Sequence, residues 1–299
     1  MLCRRIFLPL SLFALLVLAW ATPGLATSFH EEDLVCGNCG QASSQRILNG
    51  FYFPFPPDMD LQPIQLILRG LDLKECPHCG YLAADFSTPP SQAAKAAFAS
   101  RAYADIAALN IPGQARRFLR AALLEEAEDD CLAAGLNMSD AAWLCGVSEE
   151  RWEAEMQRWE LADRENGAWL KRDWNDIDLD DLPKHIDFPP LPPETTPKLA
   201  ARAAAYRDQA IALLEKAVEL KQLGSETRFY VPYLLAELHR RAGNFARAQH
   251  FVGESRALFA AESGDLHEAY ALLLEREEKF INDQDSSRQS TIPIFHKME

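Results

Sequence analysis

The sequence predicts a mainly α protein, a helical array behind a small N-terminal module stapled through cysteines. Three observations carry this. Apolar residues recur at helical spacing after Ser91, as in Phe98, Ala102, Ile106 and Leu109. Two Cys-x-x-Cys-Gly units, Cys36-Gly37-Asn38-Cys39-Gly40 and Cys76-Pro77-His78-Cys79-Gly80, both fall within residues 27–90. Two junctions, Gly243-Asn244-Phe245-Ala246 and Gly264-Asp265-Leu266-His267, separate helical stretches, as a glycine that ends a helix does. With 299 residues, 48% of them hydrophobic, the chain can build a substantial core.

Residues 1–26 differ from everything after them. Arg4 and Arg5 precede an apolar stretch from Ile6 to Ala21, followed by Thr22, Pro23 and small residues, which is the layout of a signal peptide. Ala19-Trp20-Ala21 and Gly24-Leu25-Ala26 both place small residues where a signal peptidase reads, so cleavage is expected after Ala21 or Ala26, with 1–26 taken as the segment removed. An uncleaved anchor is the alternative, but the stretch is interrupted by Pro9 and falls short of the roughly 20 residues that span a bilayer. The expectation is an exported protein, periplasmic or extracellular, with no stable membrane insertion after cleavage. Losing Arg4 and Arg5 moves the formal charge from -14 to about -16. That repels phosphate backbones, so nucleic acid is not expected as a partner. Acidic runs such as Glu125 to Asp130 and Glu275 to Glu278 read as solvated helix faces.

The order along the chain follows from texture. Residues 27–90 hold both cysteine units, a Pro and aromatic stretch from Phe51 to Pro57 and a short apolar run from Ile64 to Leu68. Turn formers and brief strands fit them best. In residues 91–173, Ser91 is placed to cap a helix that ends at Pro112-Gly113, a second helix runs from Gln114 to Leu132, and further helices cover Ala141 to Leu144 and Glu149 to Leu170. Residues 174–197 carry Asp176, Asp178, Asp180 and Asp181 and then six prolines, an acidic, Pro-rich linker. Helices resume over 198–282, at 198–221, 230–241, 245–259 and 266–281, and 283–299 form a polar tail. Within that half, Leu235 to Ser255 resembles a tetratricopeptide helix pair. Leu235 and Ala236 lie on the first helix, Gly243 and Phe245 at the turn, and Ala248 and Val252 on the second. His239 and Ser255 depart from the usual aromatic and Ala. The 21-residue interval from Gly243 to Gly264 is shorter than the repeat of about 34, so these glycines join consecutive helices. A generic helical bundle with glycine turns is the plainer alternative.

Two Cys-x-x-Cys-Gly units supply four thiolates, enough to close a tetrahedral Zn²⁺ site. In a knuckle of this kind two thiolates reach one metal from adjacent turns, and the following Gly takes a backbone conformation that side chains resist. Cys36, Cys39, Cys76 and Cys79 are therefore the expected ligands of a structural zinc in a zinc-ribbon-like module. The 36 residues between Cys39 and Cys76 exceed the roughly 15 to 20 of a compact ribbon, so an insertion must bulge out. Two other readings stay open. Each pair could form a local disulfide in an oxidising compartment. Alternatively, Cys76-Pro77-His78-Cys79 could serve a periplasmic thiol–disulfide oxidoreductase. Against that enzyme, Lys74 and Glu75 precede Cys76 where a buried strand is wanted, and the first unit is left unused.

The remaining motifs point away from catalysis. Asp176-x-Asp178-x-Asp180 has Asp181 where a calcium loop needs Gly, and Pro183 intrudes. His267-Glu268 lacks the second histidine of a metalloprotease helix, because Ala271 stands there. No nucleophile elbow, phosphate-binding loop or dinucleotide fingerprint occurs. Trp143, Trp152, Trp159 and Trp169 fall at helical core positions. Cys131 and Cys145 bring the mature chain to six cysteines, and they fit equally a disulfide pinning a helix hairpin or two buried free thiols.

Cys76-Pro77-His78-Cys79-Gly80-Tyr81 with Asp85-Phe86, Ala142-Trp143-Leu144, and the run from Tyr233 to Phe245 together resemble a bacterial family of unknown function. Its members pair a zinc-ribbon-like Cys-x-x-Cys module with tetratricopeptide-like helices. The resemblance covers most of residues 36–260. It implies the same four metal ligands and places Leu235 to Val252 in the helical repeat, and it implies no reaction; the signal peptide departs from the expected cytosolic members. The function expected is thus a non-enzymatic exported adaptor whose helical array binds a protein or peptide, one of basic or mixed charge.

Overall fold

The computed structural model describes residues 28–50, 73–148, 150–151, 153–154, 192–224, 227–260 and 267–287. The expected signal peptide, the stretches 51–57 and 64–68, most of 149–170, the linker to residue 191 and Gly264 lie outside them.

Two short antiparallel hairpins come first. β1 (Ser28–Val35) pairs with β2 (Ala42–Gly50), and β3 (Lys74–Glu75) pairs with β4 (Leu82–Ala83). The closing pairs are Val35 with Ala42 and Glu75 with Leu82. Each Cys-x-x-Cys-Gly unit is therefore the loop of a hairpin.

Eight helices follow among the described residues. α1 (Gln92–Phe98) starts where Ser91 Oγ accepts from the Ala94 N–H, as its sequence signal implies. It stops at Ala99, and Ser100 caps a new helix, α2 (Arg101–Ala107), by accepting from the Tyr103 N–H at 3.2 Å. The single helix expected from Ser91 is thus two, because a second serine offers a second cap. α3 (Gly113–Ala127) ends before the expected Leu132. Asp129 takes a left-handed φ of 60°, and Asp130 caps α4 (Cys131–Gly146) through the Ala133 N–H at 2.9 Å. Part of the acidic run read as solvated helix face is therefore a junction, where Asp is worth more as a cap than inside a helix. Gln222 pins that turn from a distance, donating to Asp129 O at 2.6 Å and accepting from Leu132 N–H at 3.2 Å.

α5 (Pro197–Glu219) is capped by Thr196 with Pro197 in its first turn. α6 (Thr227–Arg241) and α7 (Phe245–Phe259) are joined through Gly243, whose φ of 78° lets Asn244 N–H return to His239 O at 2.8 Å. α8 (His267–Asn282) closes the described array. The main core runs from Leu73 and Leu82 through Phe118, Leu119, Met138 and Leu214 to Leu234, Val252 and Leu274. α4 packs so closely on α5 that a Cβ on Gly135 would sit 2.7 Å from Leu214 Cγ. A second, smaller cluster gathers Cys36, Cys76, Tyr81, Phe86, Tyr103 and Leu124, seating the hairpin loops on α2 and α3.

Candidate metal centre

The two loops are the same structure built twice. Cys36 N–H donates to Gln41 O at 2.9 Å and Gly40 N–H to Cys36 O at 2.8 Å; Cys76 N–H donates to Tyr81 O and Gly80 N–H to Cys76 O, both at 2.8 Å. Gly40 and Gly80 hold φ of 71° and 75°, the left-handed backbone their position demands. In each loop the first cysteine turns inward and the second lies near the rim: Cys36 and Cys76 are 1% and 2% exposed, Cys39 and Cys79 intermediate.

The loops face each other. Cys36 Sγ lies 3.9 Å from Cys79 Sγ, and Cys39 Sγ lies 3.7 Å from Cys76 Sγ. All four sulfurs fall within 4.8 Å of one another, so the set predicted from sequence is brought together and could hold a metal ion. Among the described residues no other group of three or more His, Cys, Asp or Glu side chains is gathered closely enough to do so. All four are free thiols.

Residues around the loops fix their approach. Gly37 N–H donates to Phe86 O at 2.9 Å, and His78 Nε2 donates to Ala42 O at 3.2 Å, tying each loop to the other half of the module. Asn38 Nδ2 donates to Cys79 Sγ at 3.6 Å. Tyr103 OH donates to Gly80 O at 2.8 Å, and its ring packs edge-on to Phe98 at 5.0 Å. Burial pushes the Tyr103 phenol up to about 12, so it stays a proton donor. Glu75 receives Arg120 at 2.9 Å and Arg117 at 3.6 Å, which anchors β3 to α3. Sequence reasoning missed Asn38, Tyr103 and this arginine pair. Asn38 was visible as the one polar side chain inside the first loop, whereas the others come from helices distant in sequence.

The thiols do not behave alike. Burial pushes Cys36 up to about 12, and burial likewise raises Cys79. Burial would raise Cys76 too, but the N–H groups of Cys79 and His78 and the neighbouring thiols hydrogen-bond to its sulfur and bring it down to about 7. A metal taking these sulfurs must displace the protons that the raised Cys36 and Cys79 thiols hold. A metal bound by all four sulfurs would have no open position for a water.

Cys131 and Cys145 are free and buried at opposite ends of α4. Fourteen residues of helix separate them by about 21 Å, whereas a disulfide needs Cα atoms within about 7 Å. No helix hairpin is pinned by this pair, since both cysteines belong to one helix. Trp143 is buried in the same helix, as expected of a core residue. Among the described residues no helix is long and apolar enough to cross a membrane. No protein-family model, curated protein or solved structure matches the chain.

Proposed function

We propose that this protein is a non-enzymatic exported adaptor in which a structural zinc staples the two hairpin loops onto a tetratricopeptide-like helical array that binds a protein or peptide. The observation that carries the zinc reading is the sulfur geometry. Zn–S bonds of about 2.3 Å set the edges of a tetrahedron at about 3.8 Å, two of the sulfur pairs lie at 3.9 and 3.7 Å, and all four lie within 4.8 Å of one another. An all-thiolate donor set favours zinc over magnesium or calcium. The zinc would lock the module's fold, and the packing of the buried first cysteines against Tyr81, Phe86 and Leu124 supports such a role. The Gly243 turn between α6 and α7 supports the repeat reading and with it the resemblance to the bacterial family of unknown function. Export rests on residues 1–26, and the basic or mixed-charge partner on the acidic chain.

One observation favours the oxidoreductase reading, the lowered Cys76 thiol. Its sulfur is buried, however, and its loop joins two strands instead of opening a helix whose N-terminus would stabilise a thiolate.

Titration of the reduced, metal-free protein with Zn²⁺ and Co²⁺ tests the proposal. One ion per chain, with the thiolate charge-transfer and tetrahedral bands of cobalt, is expected, and Cys36→Ser should abolish both. Binding of no ion would overturn it. Cys76-dependent reduction of a protein disulfide would instead establish the enzyme. Fusion of residues 1–26 to an alkaline phosphatase that is active only outside the cytoplasm tests export, and an inactive fusion would remove that part.

A further inference from the structure

Two sulfur contacts under 4 Å run between the loops, and each joins an inward cysteine of one hairpin to a rim cysteine of the other: Cys36 to Cys79 at 3.9 Å and Cys39 to Cys76 at 3.7 Å. Resting on the reading of these sulfurs as a zinc staple, we infer that the same four cysteines are a second, oxidative staple, closing as the disulfides Cys36–Cys79 and Cys39–Cys76 when a disulfide oxidant replaces the metal. The pairing keeps the architecture that the metal imposes. Each bond still ties the first hairpin to the second, across 43 and 37 residues of chain. Local bonds within each Cys-x-x-Cys loop would leave the two hairpins unlinked.

Access decides where oxidation begins. Cys36 and Cys76 are 1% and 2% exposed, so a solvent-borne disulfide meets the rim cysteines Cys39 and Cys79 first. The Cys79 sulfur attacks one sulfur of the oxidant RSSR, the S–S bond of the oxidant breaks, and RS⁻ leaves with its electron pair to take up a proton. The Cys36 sulfur then attacks Cys79 in the mixed disulfide, and the second RS⁻ leaves and is protonated. Two protein thiols are oxidised by two electrons, and one RSSR is reduced to two RSH. Cys39 and Cys76 repeat the sequence with a second RSSR, and a bound metal, losing its thiolates, is released. Asn38, 3.6 Å from Cys79 Sγ, and His78, held on Ala42 O, keep the loops in register while the sulfurs close by about 1.8 Å to the bond length of a disulfide.

The test maps disulfides in the full chain, metal-free and zinc-loaded, after treatment with oxidised glutathione. Trypsin cuts at Arg46, Lys74 and Lys95 and leaves the two cysteines of each loop in one peptide. Bonds between loops therefore couple two peptides under non-reducing conditions, and local bonds do not. Partner choice is read from single variants with one thiol left over. In Cys39→Ser, Cys76 should remain free to alkylation, and in Cys76→Ser, Cys39 should remain free. The zinc-loaded sample should release its zinc to a chromogenic chelator in step with peptide coupling. Uncoupled peptides, a free Cys36 or Cys79 in these variants, or persistent glutathione adducts without protein disulfides would overturn the inference. Mapping in the metal-free sample does not depend on zinc stoichiometry. Local pairing with one zinc bound would therefore remove the oxidative staple and leave the zinc reading standing, while bonds between loops in a protein that binds no zinc would do the reverse.

Discussion

Single residues decide how close the two loops approach. A Cβ on Gly37 would sit 2.1 Å from Thr88 O and 2.8 Å from Pro89 N, both backbone atoms that cannot swing aside. Gly37→Ala should therefore cost about 1–3 kcal/mol and loosen the metal site. A urea midpoint within error of the wild type, with zinc affinity unchanged, would refute the tight approach. The Cys-x-x-Cys-Gly spacing made Gly40 and Gly80 legible, since the glycine after the second cysteine needs a left-handed backbone. Nothing local announced Gly37, because its constraint comes from a segment fifty residues away. His239 was legible only as a departure from an aromatic position. It is 5% exposed, stacks on Phe251 at 5.5 Å with an interplanar angle of 11°, and meets Glu215 at 3.3 Å. Burial, partly offset by Glu215, lowers its pKa below the ordinary 6.5. The native state then binds fewer protons than the unfolded chain, so this stability is complete above pH 6.5 and is lost as pH falls through the lowered value. His239→Phe keeps the stack and should flatten the loss of denaturation midpoint between pH 6.5 and 5. An acid limb as steep as the wild type's would assign the loss elsewhere.

Elements were legible in type and misread at their ends. Helical periodicity and the cap at Ser91 found the helices, but the junctions at Ser100 and Asp129–Asp130 were hidden because the same residues can face solvent or cap a helix. The hairpins were legible only as brief extended segments; their pairing depends on loops that the cysteine units close. Nor did sequence show what joins α6 to α8. Arg240, 0% exposed, donates through Nε and Nη2 to Glu237 at 2.7 to 2.9 Å and through Nε to Glu277 Oε2 at 3.2 Å. Its Nη1 reaches Asp285 O and Ser287 O beyond α8. One guanidinium faces two buried carboxylates, and Glu277 Oε1 accepts no hydrogen bond. Burial and the neighbouring Glu237 hold the Glu277 pKa well above its ordinary 4.5. The native state therefore keeps a proton that the unfolded chain loses, and this contribution is complete below pH 4.5 and fades as pH rises through the folded value. Glu277→Gln, which mimics the protonated form, should stabilise the protein by about 1–2 kcal/mol at pH 7 to 8, and Arg240→Met should cost about 3–5 kcal/mol by leaving the buried Glu237 carboxylate uncompensated. A destabilised Gln variant would mean that Glu277 is ionised in the folded protein.

At the scale of the whole molecule, the small cluster around the cysteines and the large helical core are separate bodies of apolar contact that meet along α3, where Phe118 and Leu119 belong to one and Leu124 to the other. The hairpins alone are too short to hold a fold: β3 and β4 have two residues each, and three or more strands or a helix are needed for independent stability. Their order therefore draws on the proposed sulfur staple, on Leu82 of β4 packed into the main core, and on Tyr103, Arg117 and Arg120 of α2 and α3. Removing the proposed zinc should then act unevenly. A ligand at a thousandfold excess over its dissociation constant stabilises its site by about 4 kcal/mol, and that amount should vanish from the module without reaching the far helices. In hydrogen exchange, chelation under reducing conditions should deprotect the amides of Cys36, Gly40, Cys76 and Gly80, and to a smaller extent those of α1 and α2, while the amides of α6 to α8 keep their protection. Equal loss throughout would show that the two bodies unfold as one unit, and unchanged protection at the four loop amides would mean that packing on α2 and α3 holds the hairpins without metal.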